Sequence, residues 1–129
     1  MVIDTSALLA ILQDEPERRA LNEAIEAAAE RVVSVASFVE ASVVIEARYG
    51  LAGVRELDTF IDKAGITLAP VDVEQARLAR AAFSRFGRGR HKAALNFGDC
   101  FTYALAASRG ESVLFKGEDF AHTDLTPAR

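Results

Sequence analysis

The chain has 129 residues, half of them hydrophobic, with 15 basic against 19 acidic side chains and a net charge of −4 at pH 7. That is the size of a single domain spanning residues 1–129, able to bury roughly two thirds of the surface its unfolded form exposes. The apolar runs fall far short of the ~20 residues that span a bilayer, no basic segment precedes the first of them, and Cys100 has no cysteine to pair with, so a cytoplasmic protein with no membrane partner is expected.

Val2-Ile3 reads as a short apolar strand and Ser6 to Gln13 as a helix. Pro16, suited to a first helical position, opens a second helix with Leu21, Ile25 and Ala28 on one face. Arg31 to Val35 is a strand. Ser37 to Tyr49 is a helix stopped by Gly50, and Val54 to Ala64 is another stopped by Gly65. Ile66 to Ala69 is the third strand, and Val73 to Phe86 a helix with Ala76, Ala79, Phe83 and Phe86 on one face. A loop rich in glycine and arginine follows, GRGRHKAALNFG. Asp99 to Arg109 is a helix closed by Gly110, Ser112 to Phe115 a strand, and a short tail remains. Short apolar strands alternating with helices predict a parallel sheet covered on both faces, an α/β/α sandwich. Ligands in such sheets bind beyond the carboxyl ends of the strands.

Acids stand at those ends: Asp4 after the first strand, Glu40 after RVVSV, Asp99 after the basic loop, and Glu118-Asp119 after SVLF. Each alone has a structural use. Asp4 can cap the first helix, Ser37 to Glu40 matches a capping box, Asp99 can cap its own helix, and Glu118-Asp119 can be a solvated turn. Together they conflict: two carboxylates ~5 Å apart at an effective dielectric of ~20 repel by about 3 kcal/mol, against a total stability of roughly 5 to 15 kcal/mol. A divalent cation removes the conflict, and an all-oxygen donor set favours Mg²⁺ or Mn²⁺ over Zn²⁺.

Charge is unevenly placed as well. Arg77, Arg80, Arg85, Arg88, Arg90 and Lys92 lie between Gln75 and Gly98 with no acid among them, a local cationic stretch suited to phosphate on an otherwise acidic chain. The helix from Ser37 carries Phe38, Val39, Val43, Val44, Ile45 and Ala47 around much of its circumference, which fits either a face covered by a second chain or a fully buried core helix. Cys100, with no base in view, is expected to pack in the core.

The opening VIDTSALLAIL, Glu40 in SVASFVEA, Asp99 in NFGDCFTYALA and the late VLFKGEDF, in that order over nearly the whole chain, resemble a PIN-domain ribonuclease, specifically a VapC-type toxin of a bacterial toxin-antitoxin pair. The resemblance implies a PIN-like α/β/α sandwich with a short central parallel sheet. It also implies Mg²⁺- or Mn²⁺-dependent cleavage of RNA, with transfer RNA or a ribosomal RNA loop as the family-level target. A small VapB-type antitoxin and a homodimer are the implied partners. Asp4, Glu40 and Asp99 fall on the family's three core acids, and Thr5 or Ser6 on a hydroxyl position beside the metal. Gly117 stands where many members carry the fourth acid, so that role passes to Asp119, with Glu118 the alternative. Arg85, Arg88, Arg90, His91 and Lys92, with Lys116, are the candidate RNA contacts. The competing readings are a catalytically silent module of the same fold, and another α/β phosphohydrolase, which would carry Asp-x-Asp after the first strand where this chain has Asp4-Thr5-Ser6.

Overall fold

The computed structural model describes residues 1–129. Its elements are β1 (Val2–Ile3), α1 (Thr5–Leu12), α2 (Arg18–Ala27), β2 (Val32–Ser34), α3 (Val35–Lys63), β3 (Thr67–Ala69), α4 (Val73–Phe86), α5 (Phe97–Arg109) and β4 (Val113–Leu114), followed by a 3₁₀ turn at Phe120–His122. The four strands form one parallel sheet in the order β3-β2-β1-β4.

The period-two alternation of strand side chains divides the core into two layers. Val2, Val32 and Val113 point to a cluster completed by Ala79, Ala82 and Phe86 of α4, Tyr103 to Ala106 of α5, and Phe120. Ile3, Val33 and Leu114 point the other way, to Leu8 and Ile11 of α1, Leu21 and Ile25 of α2, and Leu57 and Ile61 of α3. These three strands are buried on both faces, which is why they read as unbroken apolar pairs rather than as alternating patterns. No helix is long and apolar enough to cross a membrane.

Several boundaries differ from the sequence reading, each for a local reason. Pro16 lies in the turn before α2, whose cap residue is Glu17. β2 runs into α3 with no loop between them. The cap is therefore Ser34, whose Oγ accepts from Ala36 N–H at 3.3 Å, and the capping box expected at Ser37 to Glu40 does not form. The two helices expected on either side of Gly50 are one run bent there, the glycine taking φ 66° and ψ −162°, a conformation that only a residue without Cβ adopts at no steric cost. α5 starts two residues early because Asn96 caps it, and the terminal tail lies beside β4, with Val113 N–H donating to Thr126 O and Ala128 N–H to Val113 O.

The sheet places the site. The chain builds outward from β1 through β2 to β3, then returns to the other side of β1 with β4, so its direction of growth reverses between β1 and β4. The crevice beyond their carboxyl ends is where a ligand is expected.

Candidate active site

Asp4 follows β1 into that crevice. Its N–H extends the β1–β4 ladder by donating to Leu114 O at 2.9 Å, and its side chain caps α1, Oδ2 accepting from Ser6 N–H at 3.0 Å. Oδ1 accepts from Thr102 Oγ1 at 2.6 Å, and only 3% of Asp4 is exposed. A carboxylate offers about four lone-pair sites, so two hydrogen bonds leave acceptor capacity on both oxygens.

Asp99 enters from the first turn of α5 and is also buried, at 8% exposure. With Asn96 it forms a reciprocal capping box: Asn96 Oδ1 accepts from Asp99 N–H at 2.8 Å, and Asp99 Oδ2 accepts from Asn96 N–H at 3.0 Å. Burial nonetheless pushes its carboxyl pKa up to about 7, against the lowering effect of the Asn96 hydrogen bond and helped by the charges of Asp4 and Asp119. Of the two late acids, it is Asp119 whose charge contributes to raising the Asp99 carboxyl.

Glu40 arrives from α3. Its carboxylate lies directly over the Cα of Gly98: a Cβ built there would stand 2.2 Å from Glu40 Oε2 and 2.6 Å from Oε1. Gly98 thus makes room for an acid beside Asp99, a role that the sequence signals only as a glycine in the first turn of a helix, where Gly is disfavoured. Asp4 and Asp119 act on Asp99 through their charges and Glu40 approaches at Gly98, yet no three acids are arranged as a set of metal ligands.

The hydroxyls beside Asp4 are already engaged. Thr5 is buried, and its Oγ1 turns toward α3 and donates to Ser37 O at 3.2 Å. Ser6 Oγ accepts from Lys116 N–H at 3.0 Å, joining α1 to the segment that carries Asp119.

The basic loop closes on itself, with Arg88 N–H donating to Leu95 O at 3.0 Å and Leu95 N–H to Phe86 O at 2.9 Å. It leads into Asn96, the cap of α5, and so abuts the acids. Arg88, Arg90 and Lys92 are exposed on it, with the Arg90 guanidinium 5.8 Å from the Phe83 ring. Arg85 is partly committed: its guanidinium lies 4.6 Å from the Phe86 ring and 3.3 Å from Asp124 Oδ2. His91 holds the loop, its Nδ1 accepting from Ala93 N–H at 3.0 Å and its ring set edge-on to Phe86. Lys116 pairs with Glu15 and, at 3.5 Å, with Glu17. His91 and Lys116 therefore have structural partners that the sequence does not reveal.

Cys100 is buried as expected, its thiol pushed up to about 11 by burial and by the Asp99 charge. On α3, Val39 and Val43 are more than half exposed while Ser37, Ala41 and Ile45 face the core.

Comparison with known proteins bears on the family and the fold. The PIN domain family model matches residues 1–125. Ribonuclease VapC30 of Mycobacterium tuberculosis is 53% identical over 125 residues, covering 97% of this chain and 95% of the relative. Among solved structures, VapC20 of Mycobacterium tuberculosis, described as a toxin that cleaves the sarcin-ricin loop, superposes with a TM-score of 0.79 at 12% identity over 97% of this chain and 95% of its own. The DNA-bound VapBC of Salmonella typhimurium gives 0.71 at 18% identity over 98% and 93%. At such identities these two likenesses are of fold.

Proposed function

This chain belongs to the PIN-domain family and, within it, to the VapC ribonucleases; from that premise we propose that it is the toxin of a VapB–VapC pair and cuts RNA at the four-acid pocket with Mg²⁺ or Mn²⁺. The observation that carries the reading is the convergence of Asp4, Asp99 and Asp119, where burial and mutual repulsion hold the Asp99 carboxyl near pH 7. A cluster of that kind is costly to fold and is relieved by a cation. The donors fit a hard divalent ion, since all are carboxylate oxygens and neither a thiolate nor an imidazole joins them.

Asp4 and Asp99 would hold the ion directly, with Glu40 and Asp119 completing its surroundings directly or through water. When bound, the cation supplies Lewis-acid activation of water and charge neutralisation at the scissile phosphate. Asp4 is held at both oxygens and presents a fixed anionic edge. Asp99 would meet the ion as a carboxylate, kept oriented by the Asn96 N–H. Glu40, whose carboxylate lies over Gly98, would accept a proton from the attacking water. Arg88, Arg90 and Lys92 at the rim offset the acidity of the pocket and anchor flanking phosphates. Arg85, His91 and Lys116 are assigned there as well, after release from their present partners.

Attack by water and not by a ribose 2′-hydroxyl leaves 5′-phosphate and 3′-hydroxyl ends. The proposed target is a structured RNA, a transfer RNA or ribosomal RNA loop, in keeping with the activity ascribed to the VapC20 neighbour. A VapB-type antitoxin is the proposed protein partner, and the exposed apolar stripe at Val39 and Val43 is the proposed contact between two copies of the chain. The test is cleavage of total RNA in Mg²⁺, Mn²⁺ or EDTA by wild type, Asp4→Asn and Asp99→Asn, with the 5′ ends mapped. Loss of cutting in EDTA and in both variants is expected. Wild-type rates in either variant would refute the assignment.

A further inference from the structure

Behind the acids lies a chain of buried hydroxyls that the proposed chemistry leaves unused. Thr102 sits on α5 one turn beyond Asp99, is 0% exposed, and donates to Asp4 Oδ1 at 2.6 Å. Ser37, 1% exposed on the first turn of α3, lies 3.1 Å from Thr102 Oγ1. The direction of these bonds follows from proton counting. An ionised carboxylate only accepts, and a threonine hydroxyl has one proton. Thr102 spends that proton on Asp4, so Ser37 must donate to Thr102. The row runs one way, from Ser37 on α3 through Thr102 on α5 to Asp4 after β1. It joins three of the four elements that supply acids.

We propose that Thr102, backed by Ser37, is a positioning residue that fixes Asp4 as a metal ligand. The proposal rests on the metal-dependent reading of the pocket. Two features of the row support a role beyond filling space. It is polar where the surrounding layers are apolar, and each hydroxyl in it is satisfied, an arrangement that holds its members in one geometry. It also grips Asp4 on the oxygen opposite the one held by Ser6 N–H, so the carboxylate cannot rotate and its free lone pairs are directed by the protein. Partners of this kind, one step removed from a metal, change affinity or rate by about 10- to 100-fold when removed.

The experiment measures Mn²⁺ binding to the full chain by calorimetry, with unfolding of the metal-free proteins followed in parallel. Thr102→Val keeps the shape and removes the hydroxyl. It is expected to weaken Mn²⁺ binding by about 10-fold and to lower kcat for RNA at saturating metal, with KM for RNA unchanged. Thr102→Ser restores the donor and should bind Mn²⁺ within about threefold of wild type. Ser37→Ala removes support one step back and should weaken binding less than Thr102→Val does; with Thr102→Ser it carries the test if the valine variant fails to fold. Thr102→Val that folds and binds Mn²⁺ like wild type overturns the positioning role alone. Wild type that binds no Mn²⁺ overturns the metal reading and the positioning role with it.

Discussion

Replacing Asp99 by Asn should make the metal-free protein more stable at pH 8, although it disables the pocket. The substitution removes one charge from a buried acid cluster while leaving an amide oxygen able to accept from Asn96 N–H, as Asp99 Oδ2 does now. Burial and the charges of Asp4 and Asp119 raise this carboxyl from its ordinary 3.8 to about 7. An acid whose pKa is higher folded than unfolded favours the folded state through its proton. Its stabilising effect is complete below about pH 4 and is lost as pH rises through 7. At about 1.4 kcal/mol per pH unit the gap sets a ceiling of about 4 kcal/mol, and water at the mouth of the pocket screens it to roughly 2 to 4. Urea unfolding in EDTA at pH 4 and pH 8 should therefore show the two proteins nearly equal at the lower pH. At the higher pH Asp99→Asn should lead by roughly 2 to 4 kcal/mol. Mg²⁺ at about 1,000 times its Kd at pH 8 should erase or reverse that lead, since it stabilises wild type by about 4.1 kcal/mol. A variant that gains nothing between pH 4 and pH 8 would refute the picture of Asp99 as the strained member of the cluster.

Gly98→Ala should fold, because the atoms its Cβ meets are the mobile end of Glu40 and alanine favours the helix by about 1 kcal/mol; RNA cleavage should fall at least tenfold as Glu40 is displaced, and an unchanged rate would remove Glu40 from the site. Charge reversal at Arg88, Arg90 and Lys92 together should weaken RNA binding and flatten its salt dependence, the slope of log K against log salt dropping by about 0.7 for each phosphate no longer neutralised. Cys100, its thiol held near 11, should resist iodoacetamide at pH 8 in the native protein and react once it is unfolded in urea. Leu57→Ala, at a fully buried position of α3, should cost about 2 to 5 kcal/mol in urea unfolding without changing the metal affinity of the surviving folded fraction.

Much of this can be read from the chain because its signals are local. Each strand is a short apolar run, each helix has a period near 3.6, and Gly65 and Gly110 end their elements by taking positive φ. The acids are legible for the same reason: the carboxyl ends of parallel strands share one edge of the sheet, so four sequence positions collapse to one region. What is not legible depends on partners distant along the chain. Ser37 reads as a helix cap because S-x-x-E is a local pattern, but β2 meets α3 without a loop, which moves the cap to Ser34 and frees Ser37 to meet Thr102, 65 residues away. Lys116 and His91 read as free cations until folding brings Glu15 and Glu17 to one and the Phe86 ring to the other. Gly98 carries no visible reason until Glu40 lies over it. The layers, the order of the elements and the identity of the acids follow from the chain alone, since periodicity and strand ends are properties of neighbouring residues. Which hydroxyl grips Asp4, and which acid lies over Gly98, depends on folding in three dimensions. Both turn on ångström-scale approach between α3, α5 and the end of β1, and no spacing along a single chain encodes that approach.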